Sequence, residues 1–344
     1  MPPVAFALTP VSFAALRGWG ADQPAPGLAA FRLSCDRIAD PKRGRDLGPD
    51  YAGGPKDWAP ACQAARTVAA ADAAAVRRFF ESQFRAYAVS GESGDEGLFT
   101  GYYTPELKGS LVRQGRYVHP LYAKPPDLPA DKPYFSRAEI EAGALSGKGL
   151  ELLWVDDPVD AFFLQVQGSG RILLPDGKAI LVVFAAHNGR SYTAIGRVLI
   201  EQGELPADRA TMQPIRDWLR AHPARAAALM ARNERFIFFR RLDGETPVGA
   251  QGVALTAGRS LAVDTRFIPF GAPLWLDTVD PLDPGTPLRR LMVAQDTGVA
   301  IKGAVRGDFF WGFGMEAGER AGRMQERGRY FLLLPKTLDP VPRS

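Results

Sequence analysis

The order of apolar and polar residues predicts a helix near the amino end, followed by a long β-rich remainder. Apolar side chains between residues 72 and 88 recur at helical spacing behind a suitable N-cap, Asp72, so we predict a helix there. Residues 90–97 interrupt the pattern with glycine and acidic side chains, and the aromatic residues 98–105 then predict a strand that proline ends. The apolar positions of the helix are Val76, Phe79, Phe80, Phe84 and Tyr87.

The centre of the chain alternates short apolar runs with turn-forming residues. Strands are predicted at residues 150–155, 161–166, 171–174 and 179–185, the last two joined by a turn at 175–178. Helices are predicted at 193–202, before Gly203, and at 211–221, before Pro223. The remainder returns to β, with strands at 236–242, 253–257, 260–264, 273–279, 288–294 and 329–334. Their even spacing is typical of a small closed barrel.

Length and composition indicate a soluble protein of two domains. The chain has 344 residues, of which 46% are hydrophobic and 23% charged. Lysine and arginine are scattered and the net charge is only +4, so no nucleic-acid partner is expected. No apolar run reaches the roughly 18 residues of a membrane span. Residues 1–10 lack the features of a signal peptide, so either an export signal has been cut away or the protein stays in the cytosol.

Cys35 and Cys62 are the only cysteines. An even number permits one disulfide in an oxidising compartment. Two small buried thiols are an equally good interpretation.

Three aspartates near the carboxyl end are the candidate chemistry. Asp264 and Asp296 each close an apolar run, and Asp308 lies between a glycine and three aromatic residues. A carboxylate costs several kcal/mol to bury unpaired, so these groups must be hydrogen-bonded, protonated or functional. We interpret Asp308 as a catalytic acid that the other two hold in place.

Other readings of the motifs are weaker. Asp296-Thr297-Gly298 is the loop type of aspartic peptidases, but the second copy needed for that chemistry is only Asp264-Thr265-Arg266, 32 residues earlier and without the glycine. The three histidines have no ligand spacing, so neither a metal nor another cofactor is expected. By itself, Gln167-Gly168-Ser169-Gly170 is a tight turn.

Taken together and in order, segments 99–105, 160–170, 192–197 and 233–239 and the three aspartate segments resemble the membrane-bound lytic murein transglycosylase A family. The resemblance implies a mainly β fold with a few helices. A double-psi β-barrel domain of residues 1–103 and 235–344 would carry the aspartates. A β-rich domain of residues 104–234 would be inserted in it, with a glycan groove between them.

The resemblance also assigns roles to residues. Asp308 matches the family's sole catalytic acid, with Asp264 and Asp296 supporting it. Trp311 is assigned to the substrate, although a place in the barrel core is an equal alternative. The residues expected to bind substrate are Thr100, Gly101, Tyr102, Tyr103, Gln165, Gln167, Ser169, Lys302 and Trp311.

The implied activity is cleavage of the β-1,4 bond between N-acetylmuramic acid and N-acetylglucosamine in peptidoglycan. The C6 hydroxyl of the muramic acid attacks its own C1, so one carboxyl can act first as acid and then as base. Asp308 must then be protonated at rest, and its aromatic neighbours and a second carboxylate would raise its pKa. A non-catalytic cell-wall-binding module and a glycoside hydrolase are the alternatives.

The family also implies peptidoglycan strands as partner, a monomer, complexes with other cell-wall enzymes, and a place in the periplasm or on the periplasmic face of the outer membrane. Two departures weaken this transfer. His187 stands where the family often has lysine, which puts any sugar contact there in doubt, and the lipid-accepting cysteine is missing, so membrane attachment does not carry over.

Overall fold

The computed structural model describes three stretches of the chain, residues 6–42, 48–207 and 210–338. Fourteen strands lie in these stretches: β1 (Ala7–Val11), β2 (Phe84–Ser90), β3 (Gly97–Thr104), β4 (Glu106–Ser110), β5 (His119–Tyr122), β6 (Glu151–Val155), β7 (Ser169–Leu173), β8 (Ala179–His187), β9 (Ile237–Leu242), β10 (Ser260–Val263), β11 (Pro273–Asp280), β12 (Asp283–Asp296), β13 (Arg306–Phe313) and β14 (Gln325–Pro335). The helices there are α1 (Ala25–Ile38), α2 (Pro55–Thr67), α3 (Ala73–Gln83), α4 (Arg137–Glu139), α5 (Pro158–Gln167), α6 (Ile195–Glu201), α7 (Met212–Ala221), α8 (Pro223–Ala231) and α9 (Gly314–Arg323). Both ends of the predicted barrel domain, residues 1–5 and 339–344, lie outside the described residues.

The chain forms two compact units. One consists of Met1–Tyr103 with Thr246–Ser344, and the other of Thr104–Glu245. The sequence places the return to the first unit at residue 235, whereas the second unit extends to Glu245. The reason is that β9 pairs with β8 along its whole length, so it belongs to the sheet of the second unit.

The first unit is built on a closed six-stranded barrel, as the strand spacing predicts. Its strands follow the order β14, β11, β12, β10, β13 and β3, and β3 pairs back onto β14 to close the ring. Closure leaves no unpaired edge in the ring. Strands β2 and β1 continue the sheet outward from β14.

Three amino-terminal helices, α1 to α3, pack on this barrel. They bury Phe31, Trp58 and Phe80 in the same hydrophobic core as the barrel residue Trp275. A disulfide joins Cys35 of α1 to Cys62 of α2, which decides between the two interpretations left open by the sequence. Closing the loop between these cysteines, which are 27 residues apart, contributes about 3 kcal/mol by restricting the unfolded chain.

The second unit contains a six-stranded sheet of order β5, β6, β4, β7, β8 and β9. Strands β7 and β8 form the predicted hairpin, in which Ser169 lies opposite Val183. Helices α5 to α8 bury apolar side chains in a separate core that includes Phe162, Trp218 and Met230.

The helix predicted at residues 72–88 is too long. Asp72 does cap α3, accepting hydrogen bonds from the backbone N–H groups of Ala74 and Ala75. The helix nevertheless ends at Gln83, and Phe84 begins β2. Phe84 and Tyr87 lie on opposite faces of the strand and are both buried, and their spacing of three therefore resembles that of a helix. Pairing with β1 and β14 makes this segment a strand.

Two further predictions need correction, and one strand was not predicted. Residues 161–166 belong to helix α5, which Asp157 caps and Gly168 ends with a positive φ of 81°. Residues 253–257 form no strand, only a single bridge between Val248 and Ala254. Finally, β13, the strand that carries Asp308, was not predicted from the sequence.

Candidate active site

Asp308 lies in strand β13 of the barrel, half-buried and opposite Ala262 of β10. The hydroxyl of Thr100, on the neighbouring strand β3, donates a hydrogen bond to Asp308 Oδ1 at 2.6 Å. Arg306 in turn donates from Nη2 to Thr100 Oγ1 at 2.8 Å. Because the hydroxyl oxygen accepts from Arg306, its own proton points at the carboxyl, and the three side chains form one directed chain.

Asp296 ends strand β12 and lies opposite the same residue, Ala262, from the other side. Its carboxyl accepts three hydrogen bonds from the described part of the chain. Tyr102 OH donates to Oδ2 at 3.0 Å, while the backbone N–H groups of Ala250 and Thr297 each donate to Oδ1 at 2.9 Å. All partners are donors, which is the pattern that suits a carboxylate. The two aspartates therefore flank one strand of the barrel, but with different partners.

The surroundings raise the pKa of Asp308 above its ordinary value. Burial is the largest cause, and the negative charge of Asp296 acts in the same direction. The hydrogen bond from Thr100 and the positive charge of Arg306 oppose the rise without cancelling it. Among the described residues, no ion pair joins Asp308 to an arginine. A carboxyl in these surroundings keeps its proton at a pH where an exposed aspartate would lose it.

Tyr102 and Arg306, which lie beside the two aspartates, also have shifted pKa values. Burial raises the pKa of Tyr102, and the charge of Asp296 adds to the rise, so Tyr102 remains a hydrogen-bond donor. Burial lowers the pKa of Arg306, which Asp308 partly offsets. Arg306 is held in place by backbone carbonyls, including that of Leu98 at 3.3 Å.

Asp264 lies just beyond β10 in different surroundings. Its side chain is 1% exposed and accepts hydrogen bonds from Arg266, at 2.6 Å from Nη2, and from the backbone N–H of Gly303 at 2.8 Å. Burial alone would raise the pKa of this carboxyl, but the hydrogen bonds from Arg266 and Gly303 outweigh it and lower the pKa. Asp264 is thus an ionised anchor of the loop that contains Gly303.

Of the predicted substrate residues on β3, the structure brings only Thr100 and Tyr102 to the aspartates. Side chains of a strand alternate between its two faces, so Gly101 and Tyr103 face the other way. A Cβ atom at Gly101 would lie 2.6 Å from Trp311 Nε1, so only glycine leaves room for the indole. A Cβ atom at Gly318 of α9 would similarly meet the ring of Tyr103 at 2.9 Å.

Trp311 lies three positions after Asp308 and therefore on the opposite face of β13. Its ring packs on Phe309 at 4.5 Å between centroids, and its Nε1 faces Met324 Sδ at 3.3 Å. These contacts favour the barrel-core alternative. Lys302 is exposed, next to the loop that Asp264 anchors.

The predicted substrate residues of the second unit are not alike. Gln165 is 6% exposed, and its Oε1 already accepts hydrogen bonds from Arg137 at 2.9 Å and from the Ile237 backbone at 3.3 Å. Gln167 and Ser169 are exposed. Gln165 therefore holds Arg137 and the Ile237 backbone by hydrogen bonds, whereas Gln167 and Ser169 are accessible.

Two contributors to the site, Arg306 and the backbone of Ala250, were not predicted from the sequence. Arg306 was detectable, because it lies two residues before Asp308 and a strand places such residues on one face. Ala250 contributes only its backbone N–H to Asp296, and no side-chain pattern marks such a donor.

Two family models match this chain. One, described as the MltA specific insert domain, covers residues 98–240, and the other, described as the 3D domain, covers residues 259–334. A membrane-bound lytic murein transglycosylase A of Escherichia coli (strain K12) is 40% identical over 245 residues, which are 68% of this chain and 65% of that protein. The chain belongs to the membrane-bound lytic murein transglycosylase A family. It spans somewhat less than two thirds of that relative's length.

Solved structures of the family agree in fold. A lytic transglycosylase of Burkholderia pseudomallei is 44% identical with a TM-score of 0.78, each chain being covered to 98%. The family member from Neisseria gonorrhoeae is 33% identical with a TM-score of 0.79, covering 98% of this chain and 93% of the other. An Escherichia coli member solved with bound chitohexaose is 33% identical with a TM-score of 0.61, covering 96% and 94%.

Proposed function

We propose that this protein is a lytic transglycosylase that cleaves the β-1,4 bond between N-acetylmuramic acid and N-acetylglucosamine in peptidoglycan. The products would carry 1,6-anhydromuramic acid ends. Membership of the family supports the reaction, and the relative solved with chitohexaose supports a β-1,4-linked glycan as ligand. The observation that carries the proposal is the half-buried Asp308, whose pKa is raised and which forms no direct ion pair with an arginine among the described residues.

In the proposed reaction Asp308 handles one proton twice. Since Oδ1 accepts the Thr100 hydroxyl, Oδ2 carries the acidic proton. Oδ2 donates this proton to the glycosidic oxygen, and the bond from that oxygen to C1 of the muramic acid breaks. The C6 hydroxyl of the same sugar attacks C1 and returns its proton to Oδ2 as the anhydro ring closes. The attack is intramolecular, so no water needs to be positioned.

The neighbouring residues have supporting roles in this scheme. Burial, with the charge of Asp296 acting in the same direction, keeps Asp308 protonated at rest. The charge of Asp296 also stabilises the positive charge that develops at C1. Tyr102 holds Asp296, and Arg306 holds the Thr100 hydroxyl in its donating direction. Contact of the glycan with Gln167, Ser169 and Lys302, all of which are exposed, stays a prediction.

Mass spectrometry of peptidoglycan digested by the purified chain tests the proposal. Products 18 Da lighter than the hydrolysed fragments are expected, since ring closure replaces the addition of one water. An Asp308→Asn variant provides the control and should release nothing while still sedimenting with peptidoglycan. Fragments with ordinary reducing ends would show a hydrolase instead, and binding without any release by the wild-type chain would show a non-catalytic module.

We also propose that the protein works on the periplasmic side of the outer membrane. The named relatives are membrane-bound, and the Cys35–Cys62 disulfide suits an oxidising compartment. Every helix in the described stretches is too short or too polar to span a bilayer. Peptidoglycan strands are the proposed partner, and a monomeric state and complexes with other cell-wall enzymes stay predictions.

A further inference from the structure

The unit Thr104–Glu245 contains a cavity of about 870 Å³, which we call the insert cavity. It lies between β5, β6, α5 and α8, and Trp154, Phe162, Glu151 and Arg113 are among its lining residues. None of the residues assigned above to catalysis or to glycan binding lines it. Its volume falls within the range of about 300–1,000 Å³ that is typical of ligand sites.

The floor of the insert cavity is apolar. Ile140, Phe162, Met230 and Phe236 line it, and each of them is at most 5% exposed. An apolar floor of this kind accepts methyl and methylene groups. It therefore suits the hydrocarbon parts of a ligand rather than a fully hydroxylated sugar.

One end of the cavity is acidic. Glu151 begins β6 and lies opposite Tyr122 of β5, and its charge helps burial to raise the pKa of Tyr122. Glu141 lines the cavity as well, but it is paired with Arg137 at 3.2 Å. Glu151 takes part in no ion pair within the described residues, so this end presents an uncompensated negative charge.

The other end of the cavity is lined by three arginines and by two aspartates, Asp156 and Asp157. Its arginines include Arg116, paired with Asp156 at 3.4 Å, and Arg220, paired with Asp157 at 2.9 Å. Arg113 instead stacks on Trp154 at 5.6 Å and, among the described residues, makes no ion pair.

The two uncompensated charges are held apart by one strand. Glu151 and Trp154 are three residues apart in β6, which is about 10 Å along a strand. The pairing with β5 skips Leu152, because Leu121 lies opposite Leu153 and Tyr122 opposite Glu151, and this extra residue in β6 interrupts the usual alternation of faces. Both Glu151 and Trp154 consequently line the cavity.

We propose that the insert cavity binds a short peptide that carries a free amino group at one end and a carboxylate at the other. Glu151 receives the amino group, Arg113 receives the carboxylate, and the apolar floor receives the carbon chain between them. A peptide stem of peptidoglycan that ends in a diamino acid has this chemistry. The identification with a stem rests on the function proposed above, whereas the recognition of a dipolar peptide rests on the cavity alone.

Calorimetry with the full chain and two synthetic tripeptides tests the proposal. Both are N-acetyl-L-Ala-γ-D-Glu-L-Lys, and in one the ε-amino group of the lysine is also acetylated. The tripeptide with the free amino group should bind at least about tenfold more tightly, since a hydrogen bond to a charged group contributes at least about that much. In a Glu151→Gln variant that preference should disappear, and Arg113→Gln should weaken both tripeptides by about tenfold.

Matched controls are Glu201→Gln and Arg240→Gln, which change exposed residues of the same unit outside the cavity lining and should bind like the wild type. Equal binding of the two tripeptides by the wild-type chain, or no binding at all, would overturn the proposal. So would a Glu151→Gln variant that keeps the preference. An Asp308→Asn variant should bind the tripeptides normally, so a failure of the proposed catalysis would leave this result untouched.

Discussion

Two carboxyl groups of one barrel, the half-buried Asp308 and the buried Asp264, show opposite behaviour. From the described residues, the Asp308 carboxyl receives one hydrogen bond, donated by Thr100, and burial raises its pKa. The Asp264 carboxyl is nearly inaccessible, yet hydrogen bonds from Arg266 and Gly303 lower its pKa. The number and charge of the donors, rather than the depth of burial, therefore separate an acid from an anchor.

The difference has consequences of opposite sign for stability. Asp308 binds its proton more tightly in the folded than in the unfolded chain. Its contribution to the free energy of unfolding therefore falls as the pH rises above the ordinary pKa of an aspartate. Asp264 binds its proton less tightly in the folded chain. Its contribution to the free energy of unfolding is therefore present above the ordinary pKa of an aspartate and is lost as the pH falls through the lowered pKa. A site that gives up stability at neutral pH is a candidate for function, whereas one that adds stability there is structural.

The largest expected effect is that of Asp308→Asn on the proposed cleavage. Activity should fall about 1,000-fold, because amide nitrogen cannot transfer the proton. Urea denaturation at pH 7 should give a free energy of unfolding equal to or above that of the wild type, since the folded state no longer has to retain a proton that the unfolded carboxyl would release. A marked loss of stability in this variant would mean that Asp308 is an anchor like Asp264.

Asp264→Asn should mainly affect stability. Replacing the charged acceptor of Arg266 and Gly303 removes about 1–3 kcal/mol from the free energy of unfolding at pH 7. The deficit relative to the wild type should shrink as the pH falls through the lowered pKa of Asp264, where the wild-type group is protonated too. The variant should retain its cleavage rate per folded molecule. A deficit that is independent of pH would contradict the ionised anchor.

The smallest expected effect is that of Thr100→Val, which removes the hydrogen bond to Asp308 while keeping the shape of the side chain. The rate should fall about tenfold. Because this hydrogen bond lowers the pKa of Asp308, the pH at which activity is lost on going alkaline should move upward. Cleavage rates across a pH series check both effects.

Thr100→Ser keeps the hydroxyl and is the matched control for that experiment, so its pH profile should follow the wild type. If the valine variant instead lost activity at a lower pH than the wild type, the proposed influence of Thr100 on Asp308 would be wrong.

Several features of the site were accessible from the sequence because they are local. Asp308 stands out as an acidic residue inside an aromatic run, and its pKa is raised by burial and by Asp296, as expected from such neighbours. The β7–β8 hairpin follows from its turn residues. Four of the barrel strands, β10, β11, β12 and β14, follow from apolar runs, whose alternation needs no distant partner to be recognised.

Other features were decided only by tertiary structure. Residues 84–90 form a strand because β1 and β14 lie beside them. Trp311 and Asp308 lie on opposite faces of β13, a strand that was not predicted from the sequence. Composition and local pattern determined which side chains were available, namely three aspartates near the carboxyl end, two cysteines and an aromatic run. Which aspartate keeps a proton depended on donors from distant segments, such as Thr100 and Gly303, because hydrogen bonds and burial act through space and not along the chain.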